Sequence, residues 1–323
     1  MGLIHQVAWS SDKRPRSNNP LTHQIRALIG LLPKRASGFL LFNILYGSVF
    51  AAYFVQFFRF SLEQEYTPHF SLILLVSLYL MHARRQALSA QAEYCVQGGL
   101  PFVLVGILCY MLGLELRPDL SLHDFMALTA LGMVTVWVGG FVTFFGLPAA
   151  GIALFPLSFL IFIIPLPEAL LFRIITALQY VSAEVVSLLF QFCPFPFTRE
   201  GLYFTLPGLH IEVARECSSI RSSLALCIAC MLANHLLLHR WWSKIAVLLL
   251  VFPLAVFKNG VRIVTLSLLT LYVDKGFMAS NLHSRGGVAF FGVALAILLP
   301  IFLGLRKLEL WHTGPGQEPG SYT

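Results

Sequence analysis

The sequence predicts an all-α, polytopic membrane helix bundle of about eight spans, with an extracytoplasmic amphipathic helix and a short β-hairpin. Three observations predict it. Hydrophobic residues make up 57% of the 323-residue chain and charged residues only 11%, against about 25% charged in soluble domains. Mean hydropathy is +0.77. Several apolar windows approach the roughly 20 residues that a helix needs to cross a bilayer, and short alternating segments of the β-barrel kind are missing.

The first 36 residues are polar and basic, with Lys13, Arg14, Arg16, Arg26, Lys34 and Arg35. The apolar run that follows is too long, and lacks the small-residue site, for a cleavable signal peptide. Residues 1–36 are therefore expected as a cytoplasmic basic tail, 37–305 as the membrane-embedded domain and 306–323 as a short cytoplasmic tail. The end of the chain, 313–323, is rich in Gly and Pro and is expected to be disordered.

Candidate spans fall at 37–58, 67–82, 99–114, 125–146, 149–165, 222–238, 245–262 and 286–304. The second and third are short and call for tilt or snorkelling. Orientation follows from short-loop cations. The basic tail, Arg84 and Arg85, Arg240 and Lys244, and Arg306 and Lys307 all fall on the cytoplasmic side if eight spans are counted. Both termini are then cytoplasmic, and the net charge of +7 reports topology and no nucleic-acid partner. Gly132, Gly139 and Gly146 recur every seven residues and let span four approach a neighbour closely.

Residues 168–192 are long enough to span, but Arg173, Thr176, Tyr180, Glu184, Ser187 and Gln191 share one stripe at helical spacing. A span here would reverse the cation pattern after it, which lays the helix on the extracytoplasmic surface. The alternative is a span whose polar stripe faces the bundle. Leu202–Leu206 and His210–Ala214 read as strands around a Pro207–Gly208 turn.

Eight cations then fall outside, against the positive-inside rule: Arg173, Arg199, Arg215, Arg221, Lys258, Arg262, Lys275 and Arg285. Cys217 precedes span six, Arg262 lies in an apolar run, and His283 precedes span eight. From Lys244 to Arg262 a helix rises about 27 Å, close to the roughly 30 Å hydrocarbon core. The three side chains can therefore share the outer level. A thiolate attacks carbonyls, an imidazole moves the proton, and a guanidinium stabilises an oxyanion or holds a thiolate ionised. Taken singly, a membrane Cys is usually packing, and an interfacial Arg usually snorkels.

Around the three, Asn259 lies one turn before Arg262 and is placed to orient it. Arg221 either binds an acidic group of the substrate or is a plain interfacial arginine. Glu216 either pairs with Arg215 or Arg221 or caps the next helix. Ser218, Ser219 and Ser222 are further caps, and no residue in the sequence marks any of them as a nucleophile. His235 and His239 have metal-ligand spacing but lack the adjoining Glu of a zinc protease. Cys227 and Cys230 read as packing, so no metal and no cofactor is expected. Cys193 falls outside and stands to pair with Cys217 in an oxidising compartment. That disulfide would block the thiol, and Cys217 is expected to be reduced.

Three blocks carry a resemblance: Glu216-Cys217-Ser218-Ser219, Asn259-Gly260-Val261-Arg262, and His283 followed by Gly287 in "HSRGG". They resemble, in order and spacing, the signature blocks of the exosortase/archaeosortase family, and "IIPLPEALLF" resembles its proline-containing upstream block. The resemblance covers about residues 150–305; Ser219 departs from the Gly of many members. It implies Cys217, Arg262 and His283 as a catalytic triad at the extracytoplasmic face of the inner membrane. It further implies a cysteine protease–transpeptidase acting on exported proteins that end in a Pro-Glu-Pro-like tag, a transmembrane helix and a basic cluster. The resemblance also implies that the cleaved substrate is passed to an acceptor, alongside exopolysaccharide export. The alternatives are a transporter whose outer arginines bind an anionic solute, or a non-catalytic component of an export system.

Overall fold

A computed structural model describes residues 34–63, 70–214, 220–274 and 287–313. The chain divides at Ser48 into two units. The described part of the first, 34–48, lies in helix α1 (Lys34–Val49). Along it Phe39, Phe42 and Tyr46 stack one on the next, and the amide of Asn43 donates to the Phe39 carbonyl at 2.7 Å. Predicted span one does not run unbroken to residue 58. It ends at Val49, just past the Gly47–Ser48 pair, where Ser48 Oγ donates back to the Ile44 carbonyl, a local bond that competes with helix continuation.

The second unit holds the remaining helices. They are α2 (Ala51–Glu63), α3 (Phe70–Ala83), α4 (Arg85–Ala90), α5 (Val96–Glu115), α6 (Leu122–Ile152) and α7 (Leu154–Phe159), then α8 (Glu168–Phe190), α9 (Ile220–Leu237), α10 (Trp241–Tyr272) and α11 (Gly287–Thr313). Six described helices are long and apolar enough to cross a bilayer, seven if α1 and α2 form one span, and α8 is among the six. Every predicted span has a helical counterpart, but two are short. α3 has 14 residues, and span five is reduced to α7 and a 3-10 turn over Leu160–Ile163. Pro148, Pro156 and Pro165 punctuate that stretch, and proline removes the donor that a continuous helix requires. The two short pieces pack on each other through Ile73, Phe159, Leu160 and Ile163.

The predicted break between spans four and five falls at Gly146, whose φ of 83° is open to glycine. The Phe145 carbonyl there accepts from the Glu93 N–H at 3.1 Å. A Cβ on Gly146 would meet the Glu93 carbonyl oxygen at 2.9 Å. Helices α5 and α6 form the tightest pair. Gly132 and Gly139 of α6 face Gly106 and Gly99 of α5, backbone against backbone. Of the glycines spaced by seven in the sequence, Gly132 and Gly139 make this approach, whereas Gly146 meets Glu93.

Contacts sort the helix ends into two groups. At one end Arg84 donates to the Ile152 carbonyl at 3.2 Å, and Phe155 stacks on His235 with centroids 3.7 Å apart. There the Glu309 carboxylate also accepts from the His239 and Arg240 N–H groups, each at 3.0 Å. This end gathers Arg84, Arg240 and the Arg306 turn of α11. At the other end Asp124, in the first turn of α6 behind its Ser121 cap, accepts from the Glu168 N–H at 2.8 Å. The start of α8 is thereby tied to the start of α6.

The stripe of α8 anticipated from the sequence is exposed at Arg173, Thr176, Tyr180, Glu184 and Gln191, with Ser187 half-buried. The opposite face, Leu171, Ile175, Leu178, Ala183 and Val186, is buried. The polar stripe therefore does not face the bundle. Beyond α8 stand three strands where the sequence suggested two: β1 (Thr198–Glu200), β2 (Tyr203–Leu206) and β3 (Leu209–Glu212), antiparallel in that order. The turn after β2 lies at Pro207–Gly208 as expected, with Gly208 at φ 76°. The short β1 adds through the Gly201 turn and is held to α8 by Arg199, which meets Glu184 at 2.9 and 2.7 Å. Phe204, Leu206, Ile211 and Val213 bury the inner face of the sheet against Ala183, Val186 and Phe190. Helix α11 runs on to Thr313, so Arg306 and Lys307 lie within it; the expected disorder of the tail concerns 314–323, outside the described residues.

Candidate active site

Helices α9, α10 and α11 carry or adjoin the three sequence blocks. They share one core of Leu226 and Cys230 from α9, Val251, Leu254 and Ala255 from α10, and Ala294 and Leu298 from α11. Cys230 is packing there, as expected, with Cys227 beside it. Their register is set at the cation-rich end by Glu309. From that anchor, Arg262 on α10 and Gly287 on α11 stand equally far along their helices, about 33 Å at ~1.5 Å per residue. Ile220 on α9 stands about 27 Å above the α9–α10 turn by the same rise. A direct contact confirms the level of α9, since the Lys258 ammonium donates to Ser222 Oγ.

At this upper level α10 is polar. Lys258, Asn259 and Arg262 are 4%, 1% and 9% exposed, so all three are held inside the protein. Asn259 Nδ2 donates to Ser182 Oγ of α8 at 2.9 Å. Gly260 permits the approach, because a Cβ there would lie 2.5 Å from Val185 Cγ1. Gln179, also buried on α8, donates to the Val213 carbonyl at 2.8 Å, and the Val213 N–H donates to the Leu202 carbonyl. Helix α8 thus holds both α10 at its Asn-x-x-Arg block and the strand end that leads toward Cys217.

Arg262 and Asn259 are brought into one buried layer, with Asn259 committed to α8. Arg221 is exposed on the first turn of α9, and Gly287 opens α11. Glu216, Cys217 and His283 lie outside the described residues. The described neighbours of the Cys217 block are anchored on both sides, at Val213 (0% exposed) and Ile220 (3% exposed). His235 stacks on Phe155, while His239 Nδ1 lies 3.9 Å from Glu309. Both stand at the end remote from Arg262.

Lys258, Ser182 and Gln179 were not singled out from the sequence as site residues. A lysine inside a long apolar run was the available signal for the first. For the other two, polar residues on the apolar face of α8 interrupt an otherwise hydrophobic stripe.

A family model described as transmembrane exosortase matches residues 61–300, a range that contains all three blocks. No curated protein and no solved structure matches the chain.

Proposed function

The chain belongs to the transmembrane exosortase family, and on that premise we propose that it is a membrane-embedded cysteine peptidase or transpeptidase. Its substrates are exported proteins ending in a Pro-Glu-Pro-like tag, a transmembrane helix and a basic cluster. The observation that carries the reading is the convergence of α9, α10 and α11. The helix ends that adjoin the three blocks meet at one level, and Arg262 is buried there.

In the proposed reaction His283 takes the proton of the Cys217 thiol, and the sulfur bonds to the scissile carbonyl carbon. Arg262 carries the charge of the oxyanion or of the thiolate. The C–N bond then breaks, His283 returns the proton to the leaving amine, and a thioester remains. Water or an acceptor amine attacks the thioester and frees the thiol. A buried guanidinium is costly inside a bilayer, and a developing anion offsets that cost.

We assign the site to the extracytoplasmic face of the inner membrane, with both termini cytoplasmic. The gathering of Arg84, Arg240 and the Arg306 turn at the opposite end supports this orientation. A periplasm-dependent phosphatase fused after residue 200 is expected to be active, and the same enzyme fused after residue 240 inactive. The reverse pattern would overturn the outer location.

The activity is tested in cells that express a tagged substrate with wild type or Cys217→Ala at equal protein level. Processing, read by gel mobility, is expected to stop in the variant. Normal processing without the thiol would sink the cysteine mechanism.

A further inference from the structure

We propose that Lys258 and Ser222 form a carboxylate-binding subsite that receives an acidic side chain of the substrate. The inference rests on the peptidase reading for the nature of the ligand, but its observations are separate.

Lys258 is 4% exposed, within a helix long and apolar enough to span a membrane. Ammonium groups are almost never buried this far unless paired. Among the described residues its hydrogen bond goes to a hydroxyl, Ser222 Oγ, and no carboxylate lies within ion-pair distance of it. The neighbouring charge that acts on it is a second cation, Arg262, one turn further along α10. Two buried cations therefore stand one turn apart on α10, and of the two Lys258 meets the start of α9.

The surroundings reinforce the sign. Ser222 belongs to the first turn of α9, where backbone N–H groups lack intrahelical acceptors and the helix dipole is positive. Ser223, the next residue, has a buried hydroxyl with no hydrogen-bond partner among the described residues. A buried ammonium and the Ser222 hydroxyl, beside a helix N-terminus, make this place electropositive and rich in donors. A carboxylate satisfies it: one oxygen takes the ammonium and the other takes a hydroxyl or an N–H. A peptide substrate brings such a group as an Asp or Glu side chain. Lys258 is more enclosed than Arg221, the residue to which the sequence first pointed for this role.

Lys258→Met keeps the length of the stem and removes a buried charge, a change that cores tolerate. Lys258→Arg keeps the charge. The probe is a fluorescein-labelled peptide carrying one Pro-Glu-Pro tag, beside a Pro-Gln-Pro twin. Both are titrated by anisotropy onto the full chain in nanodiscs in a Cys217→Ala background, so that binding is read without turnover. The wild-type subsite is expected to favour the Glu peptide by about 10-fold or more, as loss of a partner from a buried charged pair entails. In Lys258→Met the two peptides should bind alike, while Lys258→Arg should restore part of the preference.

An equal Glu preference with and without Lys258, or no preference in wild type, would overturn the subsite. A Glu216→Gln variant separates the two sources of a carboxylate. If that change alone creates the Glu preference, the chain's own Glu216 fills the subsite and the substrate assignment falls. Abolished processing in Cys217→Ala leaves the peptidase reading standing whatever the peptides do, so the two failures are distinguishable.

Discussion

Arg262→Lys is expected to reduce substrate processing by roughly 100-fold or more, although it keeps the positive charge. An oxyanion donor, once removed, costs about 10²–10³ in rate, and lysine does not replace a planar guanidinium in this position. The Arg262 side chain is 9% exposed and leaves α10 one turn beyond Asn259, which is locked to Ser182. The backbone therefore has little freedom to bring a different head group to the same point. An ammonium is also more strongly hydrated than a guanidinium and more costly to keep dry. Combining Arg262→Lys with Cys217→Ala should give no loss beyond that of Cys217→Ala alone, because residues acting on one transition state are not additive. Initial rates on a tagged substrate, with folded protein quantified by size-exclusion chromatography, provide the measurement. A rate for Arg262→Lys within threefold of wild type would remove Arg262 from the chemistry and leave it a structural cation.

The same layer shows what a single sequence makes legible. Asn259 and Arg262 could be found because their spacing lies within one helix, and spacing within a helix maps directly onto a face. The polar stripe of α8 was legible for the same reason. The partners were not. Ser182 meets Asn259, and Ser222 meets Lys258, only because separate helices pack at a particular register. That register depends in part on Glu309, a carboxylate near the far end of α11 that caps the start of α10. Its role is not legible in the sequence, because its partners are backbone N–H groups 70 and 69 residues away. Strand β1 escaped because three residues give no usable alternation, and it is stabilised through an ion pair to α8 more than through its own pattern. Of the two runs that read as short, 67–82 is the 14-residue α3, whereas 99–114 belongs to the 20-residue α5, and the shortening of 149–165 was not legible. What the runs could not show was that α3 and the α7 segment cover each other, so that neither must complete a full crossing by itself.

A large loss of stability is expected from Gly106→Leu, where the backbones of α5 and α6 approach closely. An ideal Cβ at Gly106 would lie 2.6 Å from the Val136 nitrogen and 2.7 Å from the Gly132 carbonyl oxygen. Both are backbone atoms of a helix and cannot rotate aside, so the helices must separate. Two effects oppose each other. A side chain at a helical glycine gains up to about 1 kcal/mol of helix propensity. Forced separation forfeits the packing of two long faces, and overpacking alone costs about 1–3 kcal/mol, occasionally more. Within a bilayer there is no compensating hydrophobic drive to hold the helices together, since lipid is as apolar as leucine. The clash therefore wins. Gly132→Leu should behave alike, because its Cβ would meet the Gly106 carbonyl oxygen at 2.7 Å. Gly304→Leu is the control: nothing lies within 4 Å of a Cβ there, so only the propensity gain remains. Heating in detergent followed by fluorescence-detected size exclusion should place Gly106→Leu and Gly132→Leu roughly 5–10 °C below wild type, at about 2–4 °C per kcal/mol. Gly304→Leu should fall at or above wild type. Equal melting of all three would mean that the two glycine rows do not meet, and that α5 and α6 pack through other faces.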